Sequence, residues 1–486
     1  MSDLNLALRD VQRRSFLKTS SYSVGVAALA SLLDEEPLSA ASRVKTKASG
    51  HAVYPGPHHP PVAKTVIHLC MAGGPSHLET LDPKPKLREL DGKPFPESFT
   101  KGQQLAQLQG AKLLARGAFC DFQKRGESGL EISELLPEIG SMADELCVIR
   151  SMHTEQINHD PAHAFFNSGS IQKGRPSMGS WLLYGLGSET KSLPGFIVFT
   201  SQGRYGAQPV SARQWSAGFL PSRFQGVQFQ SRGDAVHFVR SPAGIDAPTQ
   251  RDTIDLVNRF NQELLADRGD PEIATRIAQY EMAFRMQSSI PELTDMSDET
   301  QETLDLYGIK QPGDGSFASN CLMARRLAQR GVRFIQLYHR AWDHHGNLEA
   351  GMKHACESVD RPTAALLKDL RRSGMLDQTL VVWGGEFGRT PMKQGSGRDH
   401  HINAFSLWMA GGGIRGGMSY GNTDELGYRY VSDGEEVHVR DLHATLLHQC
   451  GLDHRRLSAK HLGLDVRLTG VEPARVLNPV LKQSPA

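Results

Sequence analysis

Leu380-Val-Val-Trp-Gly-Gly-Glu-Phe-Gly-Arg-Thr390 sets an apolar run against two glycines, and the glycines against a carboxylate and a guanidinium. Four consecutive apolar residues stopped by glycine read as a short strand buried on both faces. The same arrangement recurs along the chain. Thr65-Val-Ile-His-Leu-Cys-Met71 stops at Gly73-Gly74-Pro75, and residues 146–149, 196–199, 332–337 and 404–409 are further short apolar runs. Helical spacing fills the intervals: residues 317–330, residues 348–376 with Pro362 expected to kink them, and residues 252–287 as one long amphipathic helix. Strands alternating with helices predict an α/β fold with a central, mostly parallel sheet flanked by helices.

The chain has 486 residues, 39% hydrophobic and 22% charged, a balance that excludes disorder over most of its length. Lys and Arg number 54 against 53 Asp and Glu, so no nucleic-acid partner is expected. The six cysteines show no CxxC and no paired finger spacing, which argues against a disulfide scaffold and against structural zinc of that kind. Gln12-Arg-Arg-Ser-Phe-Leu-Lys18, followed by an apolar run over 24–33 too short to span a bilayer, resembles a twin-arginine export signal. The expected organisation is a signal over 1–41, a linker over 42–63, one domain over 64–470 with an insertion near 200–250, and a tail over 471–486 with little to bury. The expected location is the periplasm or the cell exterior. The twin-arginine export machinery is then a partner, and no stable membrane span is expected.

Ligands bind beyond the carboxyl ends of parallel strands, so the residues after each run carry the functional reading. Gly73-Gly74 leads to Ser76 and His77, with Glu79 and Asp82 beyond. The run ending at residue 149 leads to His153, Thr154, Asn158, His159, Asp160 and His163. His159 and His163, four apart, share one helix face, a spacing that suits two imidazoles on a metal. Trp342-Asp-His-His-Gly-Asn347 follows another run, and Glu386 between glycines follows a fourth, with Arg389 placed to meet an anion and Gly397-Arg-Asp-His-His401 beyond. A turn, a helix cap or a surface histidine accounts for each cluster singly. Together they gather His, Asp and Glu on one face of the sheet. Mixed nitrogen and oxygen donors favour Zn, Mn or Fe over Ca, and one or two divalent ions are expected. Gly411-Gly-Gly-Ile-Arg-Gly-Gly417 lacks the spacing of a phosphate-binding loop and reads as a turn. His443 and His448 lie on an amphipathic helix and read as core or surface residues.

Met71-Ala-Gly-Gly-Pro-Ser-His77, Asn158-His-Asp-Pro-Ala-His163, Gly174-Arg-Pro-Ser-Met-Gly-Ser-Trp181, Trp342-Asp-His-His345, Gly384-Gly-Glu-Phe-Gly-Arg-Thr-Pro391 and Gly397-Arg-Asp-His-His401 resemble a bacterial family catalogued as domain of unknown function 1501, over about residues 62–470. That family in turn is similar to the alkaline phosphatase and sulfatase superfamily. The resemblance implies a three-layer α/β/α fold with one or two metals and a nucleophile at a helix N-terminus. It implies that Glu386 takes the place of a strand-end carboxylate ligand, with Phe387 where histidine is usual. His401 resembles the final metal histidine, and Asp343 with His344 or His345 resembles the middle ligands. Ser168-Gly169 resembles the small residue and glycine that close the nucleophile helix. Two positions depart from the pattern. His159 falls at the nucleophile position in place of Ser, Thr or Cys, and Gly73 falls near the first Asp ligand. Ser76, Thr154 and Ser177 are substitute nucleophiles. His159 as a phosphoryl acceptor and direct attack by an activated water both remain open.

The expected function is an exported metal-dependent hydrolase of phosphate or sulfate esters, acting on a small-molecule or glycan ester. Its metal ligands come from His77, Asp343, His344, His345, Glu386, His400 and His401. Its catalytic residues come from His159, Thr154, Ser76 and Arg389, with Arg389 or Arg398 neutralising oxyanion charge. A formylglycine sulfatase is not expected, because no Cys-x-Pro/Ala-x-Arg occurs around any cysteine. The alternative is a non-catalytic exported binding or assembly protein that retains the superfamily fold, with or without a structural metal.

Overall fold

The computed structural model of the chain describes residues 55–482 apart from 104, 205–207, 209, 237–240 and 242–243. The signal expected over 1–41 and the linker up to residue 54 lie outside the described residues. Two compact units divide the described chain: a larger one from residues 54–233 and 293–486, and a smaller one within Asp234–Glu292. No helix among the described residues is long and apolar enough to cross a membrane.

The larger unit is built on a nine-stranded sheet. Its strands are β1 (Thr65–Ala72), β2 (Leu146–His153), β3 (Phe196–Gln202), β4 (Val227–Gln228), β5 (Phe334–Arg340), β6 (Thr379–Gly384), β7 (Phe405–Ala410), β8 (Met418–Tyr420) and β9 (Val437–His438). The spatial order is β8-β2-β7-β6-β1-β5-β3-β4, with β9 beside β2. Every pairing is parallel except those of β7, which runs antiparallel to both β2 and β6. Every apolar run expected to be a strand is one. β1 is buried along its whole length. Val66, Cys70 and Ala72 join a cluster with Phe165, Phe166, Trp181, Leu446 and Leu447, while Ile67, Leu69 and Met71 are equally buried. Continuous rather than alternating hydrophobicity is what a sheet covered on both faces requires.

Because β1, β2, β5 and β6 are mutually parallel, their carboxyl ends lie along one edge of the sheet. The antiparallel β7 starts at that edge. A hairpin, Gly388–Gln394 with Gly397–His401, fills the interval between the end of β6 and the start of β7. Its register shifts between Arg398 and His400, and a bulge of this kind re-aims the side chains on either side of it.

Some expectations change. The helix expected over 252–287 is two helices, Ala247–Arg268 and Pro271–Thr294. Gly269 at φ 67° closes the first in the left-handed conformation, and Pro271 opens the second. The helix through Pro362 runs unbroken over Leu348–Arg372. Within the stretch near 200–250 read as an insertion, Trp215, Leu220 and Phe224 lie in the main core. The tail also buries more than its composition suggested: Leu477 and Val480 are in the same core, and the Lys482 amide donates to Gly413.

The hairpin is anchored by an ion pair sealed from water. Arg398 and Glu79 meet at 2.5 Å with both side chains fully buried, and Arg398 also donates to the carbonyls of Arg116, Gly117 and Thr390. Breaking such a pair leaves a buried charge without a partner. Arg398→Ala is expected to cost about 3–5 kcal/mol, read as a lower urea midpoint. Arg398→Met with Glu79→Leu should recover most of that loss, because both charges are then removed.

Candidate metal centre

Four side chains converge at the carboxyl edge of the sheet. The ligand-type atoms of His159, Asp343, His345 and His400 all lie within 4.8 Å of one another. They arrive from three separate segments. His159 opens the helix His159–Ser168 that follows β2. Asp343 and His345 lie in the loop after β5, and His400 lies on the hairpin after β6. Asp343 is central: its carboxylate is 3.0 Å from His345 Nε2, 3.3 Å from His400 Nε2 and 3.3 Å from His159 Nε2.

The backs of the three imidazoles determine what their fronts can do. His159 Nδ1 donates to Glu386 Oε1 at 2.7 Å. His400 Nδ1 donates to the Ile157 carbonyl at 2.7 Å. His345 Nδ1 donates to Gln394 Oε1, an orientation set by Gln394 Nε2 donating to Gln107 Oε1 at 2.9 Å. Each neutral ring therefore presents an unprotonated Nε2 to the same point. His345 Nε2 and His400 Nε2 face each other at 2.9 Å, lone pair against lone pair, and His159 Nε2 is buried with no hydrogen-bond partner. Three such nitrogens beside one carboxylate require a cation or a proton between them. This donor set fits a divalent metal.

Electrostatics agree. Burial opposes the charge on His159, but the Asp343 and Glu386 carboxylates outweigh it and raise its pKa to about 9. Burial likewise opposes ionisation of Glu386, yet the neighbouring His163 and His159 pull it down to about 2. Asp343 is buried too, and its contacts with His159, His345, His400 and Arg389 hold it below the usual carboxylate range. Without metal, a proton on His159 stands in for the missing cation.

The other expected site residues are placed as follows. Arg389 is fully buried. It donates to the carbonyls of Gly73, Gly74, Trp342 and Arg398 and, at 2.5 Å, to Asp343 Oδ1. These contacts turn its buried guanidinium inward, where it fixes Asp343 and the surrounding loops. Arg398 is committed to Glu79. Glu386 is fully buried and faces the Nδ1 side of His159. It accepts the Gly73 and Gly74 amides and lies 3.3 Å from His163 Nε2. His77 Nε2 meets the Gly427 carbonyl at 3.1 Å, and His401 Nε2 meets the Tyr428 carbonyl. His344 is buried with neither ring nitrogen hydrogen-bonded. Ser76 donates its hydroxyl to Glu79. Thr154 Oγ1 is buried without a partner, and Ser177 shares its hydroxyl with Ser180 at 2.9 Å. Sequence reading did not single out Gln394, Gln208, whose amide reaches Asp343 at 2.5 Å, or the Ile157 carbonyl. No motif signals an amide side chain or a main-chain oxygen brought in from another loop.

Comparison with solved structures returns sulfatases and phosphonate monoester hydrolases among others, all at low identity. A sulfatase from Pseudoalteromonas sp. is 10% identical with a TM-score of 0.32, over 80% of this chain and 68% of that one. A phosphonate monoester hydrolase of Agrobacterium radiobacter is 9% identical with a TM-score of 0.34, over 87% and 77%. Another, from Silicibacter pomeroyi, is 12% identical with a TM-score of 0.31, over 72% of each chain. No curated protein matches the sequence. A family model described as protein of unknown function (DUF1501) matches residues 63–481.

A pH dependence follows. The folded pKa of His159, about 9, lies above its ordinary 6.5. The stability it contributes is therefore complete below pH 6.5 and lost as the pH rises through 9. The thermal midpoint of metal-free protein should fall across that window, and His159→Gln should flatten the fall. Zn(II)-loaded protein should show no such loss, because the metal takes the place of the proton.

Proposed function

The chain belongs to the family described as protein of unknown function (DUF1501), and we propose that it is a metal-dependent hydrolase of phosphate or sulfate esters. One observation carries this reading: three imidazoles, each with Nδ1 donated to a protein oxygen, turn their Nε2 atoms onto one carboxylate at the carboxyl edge of the sheet. His159, Asp343, His345 and His400 hold the ion, with Zn, Mn or Fe preferred to Ca for this donor set. When bound, a divalent ion there supplies Lewis acidity towards an ester oxygen and lowers the pKa of water.

The chain's own residues orient and exclude. Arg389 locks Asp343 in place. Phe387, fully buried against the rings of His159 and His400, keeps water from the inner side. Among the four ligands His345 is the most exposed, at 27% of its side chain, so ester and water approach from its side. Both nitrogens of His159 are engaged, Nδ1 by Glu386 and Nε2 towards the other ligands. The Ser76 hydroxyl is committed to Glu79. These engagements favour water as the attacking group over a covalent serine or histidine. The resemblance of the strand-end motifs to the alkaline phosphatase and sulfatase superfamily supports ester chemistry. The Arg-Arg motif at residues 13 and 14 supports export through the twin-arginine route.

The burial of Arg389 favours a second reading. A guanidinium sealed from solvent and turned to the loops also suits an exported binding or assembly protein, with or without a structural metal.

Elemental analysis of purified protein, followed by assays with p-nitrophenyl phosphate and p-nitrophenyl sulfate, separates the two. The hydrolase reading expects bound metal, lost in Asp343→Ala and His400→Ala but kept in His77→Ala and His401→Ala. Turnover should fall by more than ~100-fold in the first pair, beyond the usual effect of an outer-shell change. Metal without turnover of any ester, and a lower melting temperature when the metal is removed, would favour the binding protein. Protein that neither carries nor takes up metal would end the hydrolase reading and leave a binding protein without metal.

A further inference from the structure

Gly73 and Gly74 follow β1 with φ of 124° and 72°, a region open to glycine and costly for other residues. A Cβ at Gly73 would lie 2.6 Å from the Asp343 amide nitrogen. This backbone aims two successive N–H groups at one carboxylate. The Gly73 amide reaches Glu386 Oε1 at 3.1 Å and Oε2 at 3.2 Å, and the Gly74 amide reaches Oε2 at 3.2 Å. Consecutive amides converging in this way form an anion-holding nest. Glu386 Oε1 also accepts His159 Nδ1 at 2.7 Å, and the side chain is fully buried. Both carboxylate oxygens are thus taken by N–H donors. The His159 ring stands between Glu386 on its Nδ1 side and Asp343 on its Nε2 side.

On the reading of this centre as a metal site, we infer that Glu386 is a positioning residue that acts on the metal through His159, and not a ligand. The nest holds Glu386 ionised. The carboxylate fixes His159 in the tautomer with its proton on Nδ1, locks the ring plane and makes Nε2 a stronger donor. His345 and His400 donate their Nδ1 to neutral oxygens, an amide and a main-chain carbonyl, and the Asp399 carboxylate stands off at 4.0 Å from His345 Nδ1. The one directly hydrogen-bonded carboxylate makes His159 the ligand most dependent on its support, and ties metal affinity to the loop after β1, which supplies no ligand of its own.

The test is a Zn(II) titration against a competing chelator at fixed pH in four proteins: wild type, Glu386→Gln, His159→Ala and the double variant. Glu386→Gln keeps an acceptor but loses the charge, and should weaken Zn(II) binding by about 10–100-fold. On the His159→Ala background the same change should alter affinity by less than about 2-fold, since its effect passes through that ring. A loss in Glu386→Gln as complete as in Asp343→Ala, or an undiminished effect on the His159→Ala background, would overturn the inference and make Glu386 a ligand. Wild-type protein that binds no Zn(II) would overturn the metal reading together with the inference. Failure of Zn(II)-loaded wild type to cleave esters would instead sink only the hydrolase reading. Co(II)-loaded wild type gives a readout that does not depend on any variant folding. Its NMR spectrum should contain hyperfine-shifted, exchangeable imidazole N–H signals from all three histidines, with that of His159 slowest to exchange. The absence of a signal from His159 would overturn the assignment.

Discussion

The site depends on the guanidinium of Arg389. Its N–H groups reach the carbonyls of Gly73 and Gly74 after β1, of Trp342 after β5 and of Arg398 on the hairpin, and the carboxylate of Asp343. Three loops that belong to separate strands are thereby held to one planar group. Arginine suits this place because its donors form a rigid fork and its charge is permanent. A buried charge is tolerated only with a partner and with its remaining donors satisfied. Asp343 is the partner, and four carbonyls accept from the same guanidinium. The residue that neutralises Arg389 is thus also the centre of the histidine cluster, so local folding and ligand geometry are one constraint.

A second layer of buried charges secures the hairpin. Arg398 pairs with Glu79, and Asp399 accepts the amides of Gln107, Leu108 and His400. Between Arg398 and His400 the register slips. Arg398 therefore serves the interior, while His400 turns to the site with its Nδ1 held by Ile157. Behind each imidazole stands an acceptor from another segment, so the direction of every Nε2 is set by a residue remote in sequence.

Much of the fold was legible from the sequence. Strands covered on both faces carry continuous apolar runs, and glycine at their ends marks where the chain leaves the sheet. That placed β1, β2, β5, β6 and β7 and pointed to their carboxyl edge. The helix pair around Gly269 was misread because the apolar spacing continues across the break, and only the left-handed turn interrupts it. The cluster residues were also visible as candidates. Choosing among the histidines was not possible from sequence, because His344 and His345 are adjacent in the chain, as are His400 and His401, and each pair divides its roles. His345 and His400 point to Asp343, while His401 turns to the Tyr428 carbonyl and His344 is buried with no hydrogen bond.

What the sequence determined by itself is the class of fold, the family, and the edge of the sheet where the chemistry gathers. These follow from hydrophobic periodicity and from motif residues close together in the chain. What the tertiary structure alone decided is which nitrogens meet and how they are held: Gln394 behind His345, the Ile157 carbonyl behind His400, Glu386 behind His159, and Arg389 turned inward to the loops. A hydrogen bond is directional and acts over about 3 Å, so its partners are chosen by the packing of segments hundreds of residues apart, as Gly73 and Glu386 are, and no local pattern in the chain records that choice.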